Sequence, residues 1–198
     1  MKLYGTTTSP FVRRVRVVAA EIGEPIDMIN TAHEDGQKQL RATSPIWKVP
    51  VAEVDGRTLF DSRAIIDWLV TTRGWGNLAP PKDRWHEGNV INAIDAALDS
   101  AIQLFYLKRE NVPAAGTPFE AHNLGRADAI FQWLGTQLAP DRRSFGGGGL
   151  GIAEISLVAT LDWMDFRQTY PTDRAGLCNH LRGVWADHPS LATTRPHT

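Results

Sequence analysis

The chain has 198 residues, 42% of them hydrophobic and 22% charged, with a formal net charge of -1, enough for one large domain or two small ones with packed cores. That balance excludes a disordered chain and a polyanion-binding surface, so nucleic acid is not an expected partner. A single cysteine, Cys178, excludes an internal disulfide, a CxxC redox pair and a cysteine-based zinc site.

Lys2 to Tyr4 reads as a short strand. The polar Thr6-Thr7-Thr8 follows too soon for a signal peptide, and no later run approaches the roughly 18 apolar residues of a membrane span, so a cytoplasmic protein without membrane contact is expected. Ser9-Pro10 then opens a helix: serine is a good N-cap, and proline suits the first helical position. Phe11, Val15, Val18 and Ile22 recur at helical spacing, Arg13, Arg14 and Arg16 point elsewhere, and Gly23 stops the helix. Ile26 to Ile29 reads as a second strand, parallel to the first because a helix carries the crossover. The polar stretch from Thr31 to Ser44 has room for a short helix around Gln37 to Arg41.

Lys48-Val49-Pro50-Val51 is the most informative stretch. A proline cannot donate to a strand ladder, so it belongs at an edge or in a special turn, often as the cis isomer. In that arrangement the backbone N–H and carbonyl of Val49 face outward. Val49 to Val54 and Arg57 to Phe60 flank Asp55-Gly56, a strong hairpin signal, so these two strands are antiparallel. Asp61 or Ser62 then caps a helix whose inner face is Ala64, Ile65, Trp68 and Leu69. An acid and a hydroxyl at a helix N-terminus beside a free strand edge form a device for gripping an extended, peptide-like ligand.

Asn77-Leu78-Ala79-Pro80-Pro81 marks a change of character, after which no convincing strand appears. The expected division is a first domain over 1–76, a linker over 77–81 and an all-helical domain over 82–198. Ile91, Ile94, Leu98, Ile102 and Phe105 make one long helix face, broken near Asn111-Val112-Pro113. Thr117-Pro118-Phe119-Glu120 opens the next helix with a capping box, and Leu124, Ala127, Phe131 and Leu134 face inward. Gly146, Gly148 and Gly151 match G-x-G-x-x-G formally, but Pro140 to Phe145 is no buried strand, so the run reads as a flexible loop and not a nucleotide site. Ile152, Ile155, Val158, Ala159, Leu161 and Trp163 lie in a helix apolar over much of its surface, the expected centre of the second core. Another short helix runs from about Arg174 to Trp185 and ends at His188-Pro189. Cys178, between Leu177 and Leu181, reads as a buried structural thiol, and six scattered histidines without HxxxH or HExxH spacing give no reason to expect a metal.

Four segments together carry a resemblance: Thr8-Ser9-Pro10-Phe11-Val12-Arg13-Arg14-Val15-Arg16, Ser44-Pro45-Ile46-Trp47-Lys48-Val49-Pro50, Asp61-Ser62-Arg63-Ala64-Ile65, and Ile152-Ala153-Glu154-Ile155-Ser156-Leu157. Over nearly its whole length the chain resembles the cytosolic glutathione S-transferase superfamily, most closely its serine-type bacterial members. The resemblance implies an α/β thioredoxin-like N-terminal domain and an all-α C-terminal domain, a homodimer, a role in detoxification, and glutathione as co-substrate. It implies that Ser9 assists the glutathione thiolate, that Val49, ahead of the cis-proline Pro50, pairs with the cysteinyl backbone, and that Asp61 and Ser62 hold the γ-glutamyl end. Lys48, with Gln37 and Lys38, is a candidate for the glycyl carboxylate. Phe105, Tyr106 and Trp163 are candidates to line the pocket of a small apolar electrophile held between the domains.

Two positions depart from the family pattern. Trp47 stands where glycine is common, and Gly151 replaces the usual hydroxyl N-cap of the helix near Ile152, a change worth only a few tenths of a kcal/mol. The chemistry needs a soft nucleophile, and a free thiol near pKa 8.5 is only a few per cent thiolate at neutral pH. Each tenfold gain in thiolate corresponds to about 1.36 kcal/mol, within reach of a helix N-terminus and one charge-assisted hydrogen bond. Tyr4 is the rival hydroxyl, read as core or strand surface. The expected function is a glutathione transferase conjugating the thiolate to an apolar electrophile. The alternative is a non-catalytic binding or regulatory protein of the same fold, while a disulfide reductase lacks the cysteine it needs at position 9.

Overall fold

In the computed structural model, which describes residues 1–146 and 148–197, the chain divides into two compact units. Met1–Pro80 together with the chain end from His188 forms one, and Pro81–Asp187 the other. The first unit follows the expected order: β1 (Lys2–Gly5), α1 (Pro10–Ile22), β2 (Asp27–Asn30), α2 (Glu34–Thr43), β3 (Val51–Val54), β4 (Arg57–Phe60) and α3 (Ser62–Arg73). The sheet order is β2-β1-β3-β4, with β1 parallel to β2 and the other two pairs antiparallel. This is a thioredoxin-like domain. β3 begins at Val51, later than Val49, because the ladder starts only after the proline. Gly5 is required where β1 meets α1: a Cβ there would stand 2.4 Å from Val12 Cγ2.

Leu3, Val12, Val15, Val18, Val51, Ala52, Ile65 and Leu69 are all fully buried. Two inward faces differ from expectation. Arg13 and Arg14 were assigned to the outer side of α1, yet both are buried. Arg13 Nη2 donates to the Leu191 carbonyl at 3.0 Å and Nε to Thr194 Oγ1 at 3.3 Å, so the chain end, including α8 (Pro189–Thr193), lies on α1. Those bonds engage two of the three nitrogens of a buried guanidinium, and the last residues group with the first unit, where the sequence had assigned them to the second. In α3, Ile66 takes the buried place expected of Ala64, which is exposed.

The second unit is all-helical: α4 (Arg84–Arg109), α5 (Pro118–Thr136), α6 (Ile152–Arg167), a 3-10 turn (Thr172–Ala175) and α7 (Leu177–Trp185). α6 is its centre, with Ile155, Leu157, Val158 and Leu161 fully buried. The core stripe of α4 is Val90, Ile94, Ala97, Leu98, Ala101 and Leu104, so the expected face is rotated and Ile91, Ile102 and Phe105 sit at its margin. Helix α4 is also long and apolar enough to cross a membrane, with a mean hydropathy of 1.3 over its best window, contrary to the sequence expectation. Its apolar stripe is instead taken up in helix packing. The helix expected from about Arg174 to Trp185 is broken by Gly176 at φ 54. Residues 137–151 carry no helix or strand among those described; Gly147, within the glycine run read as a loop, lies outside the described residues. Cys178 is buried, its thiol pushed up to about 12 by burial and donating to the Phe131 carbonyl at 3.5 Å, as a structural thiol would be.

Candidate functional site

The sheet register gathers the site residues at one end. Tyr4 pairs with Val51 across β1 and β3, and Val51 with Phe60 across β3 and β4. The end of β1 leading to Ser9, the start of β3 preceded by Lys48, Val49 and Pro50, and the end of β4 leading to Asp61 and Ser62 therefore lie side by side.

Each of these residues retains open hydrogen-bonding capacity. Ser9 caps α1, its Oγ accepting from the Val12 N–H at 3.3 Å. A hydroxyl that accepts at its oxygen still has a proton to give, and among the described residues no acceptor takes it. The Val49–Pro50 bond is cis and Pro50 is buried. Neither the N–H nor the carbonyl of Val49 has a backbone partner among the described residues. Asp61 caps α3 through Oδ1, which accepts from the Arg63 N–H at 2.8 Å, leaving Oδ2 open. Its backbone stands at φ 75, ψ 134, a conformation costing roughly 1–3 kcal/mol and met most often at functional sites. Ser62, the first residue of α3, is 1% exposed, and its Oγ has no hydrogen-bond partner. Leaving a buried hydroxyl unpaired costs about 1–3 kcal/mol. Lys48 is exposed, with no carboxylate in ion-pair range among the described residues.

Three other candidates are engaged elsewhere. Tyr4 is 3% exposed, packs with Leu40 and Val51, and donates its hydroxyl proton to Glu53 at 2.5 Å. Burial and that carboxylate raise its pKa. Gln37 donates to the Thr31 carbonyl at 2.6 Å, and Lys38 pairs with Glu34 at 2.9 Å.

Trp47 stands at φ 50, in the left-handed region that favours glycine, which explains why glycine suits this position. The residue is 62% exposed, and its ring lies beneath the Arg41 guanidinium of α2, 5.0 Å from it. That contact holds the indole against α2. Neither partner is adjacent in sequence, so the pairing was not legible there.

In the second unit, Phe105, Tyr106 and Trp163 do come together. Phe105 meets Trp163 edge-on at 5.5 Å and Tyr106 at 5.6 Å, and the Arg167 guanidinium lies 5.1 Å over the Phe105 ring. No group of three or more His, Cys, Asp or Glu side chains among the described residues is placed to hold a metal ion.

A thioredoxin-like domain with polar groups gathered at one end of its sheet, followed by a helical domain, defines a class. Residues 3–77 match the model of the glutathione S-transferase N-terminal domain, and residues 90–192 that of the C-terminal domain. The chain belongs to the glutathione S-transferase family. It is 26% identical to an uncharacterized GST-like protein of Escherichia coli, over 99% of this chain and 98% of that protein. It is 28% identical to a probable glutathione S-transferase of Oryza sativa, over 82% of this chain and 72% of that one. Among solved structures, a glutathione S-transferase from Methylobacillus flagellatus with glutathione bound superimposes with a TM-score of 0.82 at 23% identity, covering 99% of each chain.

Proposed function

We propose that this protein is a serine-type glutathione transferase, in which residues 1–76 hold glutathione and the helical residues beyond the 77–81 linker supply the apolar surface for an electrophile. The observation that carries the reading is the buried, unpartnered hydroxyl of Ser62 at the start of α3. Beside the positive end of a helix dipole, such a donor suits a carboxylate, here the γ-glutamyl carboxylate. The open oxygen of Asp61 takes the γ-glutamyl ammonium, the Val49 backbone pairs with the cysteinyl residue in strand fashion, and Lys48 meets the glycyl carboxylate. The Ser9 proton, free because its oxygen caps α1, donates to the sulfur and favours the thiolate. The thiolate then attacks the electrophilic carbon, a C–S bond forms, and the leaving group departs with its electron pair. The cluster of Phe105, Tyr106 and Trp163 favours an apolar substrate. Relatives crystallised with glutathione or glutathione sulfonate support the choice of ligand, and a cytoplasmic homodimer belongs to the same proposal.

Trp47 favours a second reading, a glutathione-binding protein without turnover, because a large ring stands at the edge of the site. Calorimetric titration with reduced glutathione, followed by conjugation of an activated aryl chloride, separates the two. Saturable binding with conjugation above the uncatalysed rate is expected. Binding without turnover leaves the second reading, and no binding rejects both.

A further inference from the structure

Arg13 is bonded at both its backbone and its side chain. Its N–H donates to the Ser9 carbonyl at 2.9 Å, the bond that closes the first turn of α1. Its buried guanidinium donates to the Leu191 carbonyl and to Thr194 Oγ1. The receiving segment is itself braced: Thr194 Oγ1 donates to the Ser190 carbonyl at 2.7 Å, and His188, at the start of α8, stands 3.5 Å from Glu21 near the end of α1. Residues 188–194 thus meet α1 at its first turns and its last, and the turn that carries Ser9 is fastened to residues 178 and 181 positions beyond Arg13. Within that turn the Ser9 cap is the weakest member. Its Oγ accepts from the Val12 N–H at 3.3 Å, beyond the usual range for such a bond, so a displacement of a few tenths of an ångström breaks it. The first amides of a helix have no intrahelical acceptors, so the order of this turn comes from what fastens it: the cap, Pro10 in the first helical turn, and Arg13.

We propose that Arg13, fastened by Leu191 and Thr194, is a positioning residue for Ser9, so that the chain end sets how well the Ser9 hydroxyl is aimed. The proposal rests on the reading that Ser9 donates to the glutathione sulfur. A hydroxyl held by its cap presents its proton in one direction; one released from the cap rotates and spends only part of its time on the sulfur. The anion then loses part of a charge-assisted hydrogen bond, and the thiol pKa rises. Affinity for the tripeptide, assigned to Val49, Asp61 and Ser62, does not pass through Arg13. Loosening the chain end should therefore move the titration of the bound thiol at nearly constant affinity. A merely structural Arg13 would lower stability and leave that titration where it is.

The test titrates the thiolate absorbance of bound reduced glutathione in the parent protein, in Arg13→Met, in Thr194→Val, and in each of these combined with Ser9→Ala, with calorimetric affinity and Tm measured alongside. Below the titration midpoint, Arg13→Met should lower the thiolate fraction about threefold to fivefold, and Thr194→Val, which removes one of the two side-chain acceptors, about twofold. Affinity should change by less than about twofold in both. In the Ser9→Ala background neither change should lower the thiolate fraction further, because residues that act through one another are not additive. Glutathione bound with an unmoved titration in both single variants overturns the role, whatever happens to Tm, and so does an equal loss with and without Ser9. If Arg13→Met does not fold, Thr194→Val and its Ser9→Ala combination decide by the same criteria. A parent protein that binds no glutathione rejects the functional reading and this role together.

Discussion

Helices α1 and α3 of the first unit are capped by Ser9 and Asp61, whereas α6 of the second begins at Gly151 and draws on Glu154 in its first turn, and the polar groups are used in opposite ways. At α1 and α3 the capping atoms satisfy one backbone N–H each and leave the Ser9 proton, an Asp61 oxygen and the Ser62 hydroxyl open. At α6, Glu154 engages both its oxygens with backbone amides, those of Phe145 and Gly151. Polar groups at a helix start are therefore left open in one place and consumed by the fold in the other. What separates them is whether capacity remains once the helix is capped.

Removing a carboxylate that serves only the fold should have the largest effect. Glu154→Ala leaves two backbone N–H groups without acceptors in a buried site, at about 1–3 kcal/mol each, so denaturant unfolding should show a loss of about 3–5 kcal/mol. If stability changed by less than 1 kcal/mol, the contrast would be lost. Asp61→Ala comes next: calorimetry should show glutathione affinity down by 10- to 100-fold, the range of a charge-assisted bond, with about 1 kcal/mol of stability lost with the cap.

Ser62→Ala sharpens the contrast because its two effects should have opposite signs. Glutathione binding should weaken about fivefold to tenfold, while the ligand-free protein stays as stable or gains slightly, since a buried unpaired hydroxyl has been removed. A loss of stability without loss of affinity would make Ser62 a structural residue. Ser9→Ala should cost about 1 kcal/mol of stability through the α1 cap and leave affinity nearly unchanged. The bound thiol should titrate higher, so the pH–rate profile moves to higher pH; an unmoved profile would remove Ser9 from the chemistry. The smallest effect is expected from Trp47→Gly, which relieves a left-handed residue worth about 1 kcal/mol but gives up the Arg41 stack. Stability should change by less than about 1 kcal/mol, and conjugation that rises sharply would mean the indole obstructs the site.

Much of this arrangement was legible in the sequence because its signals are local. A cap and the amide it serves lie two or three residues apart, a hairpin turn is two adjacent residues, and a proline excludes itself from a ladder wherever it stands. Ser9, Pro50, Asp61 and Ser62 were found that way. The same locality misled at Arg13 and Arg14, where helical spacing put cations outside and the returning chain end buried them. It also left Gln37 and Lys38 as candidates, though Thr31 and Glu34 already engage them.

By itself, then, the sequence determined the order of strands and helices, where most of them start, and which residues stand at the candidate site, since each depends on neighbours along the chain. Only the tertiary structure decided which polar groups stay open: that Tyr4 is bound to Glu53, that Trp47 rests under Arg41, and that Glu154 is taken up by the Phe145 and Gly151 amides. Hydrogen-bond capacity is settled by whatever lies within about 3 Å, and in a folded chain those neighbours come from anywhere in it.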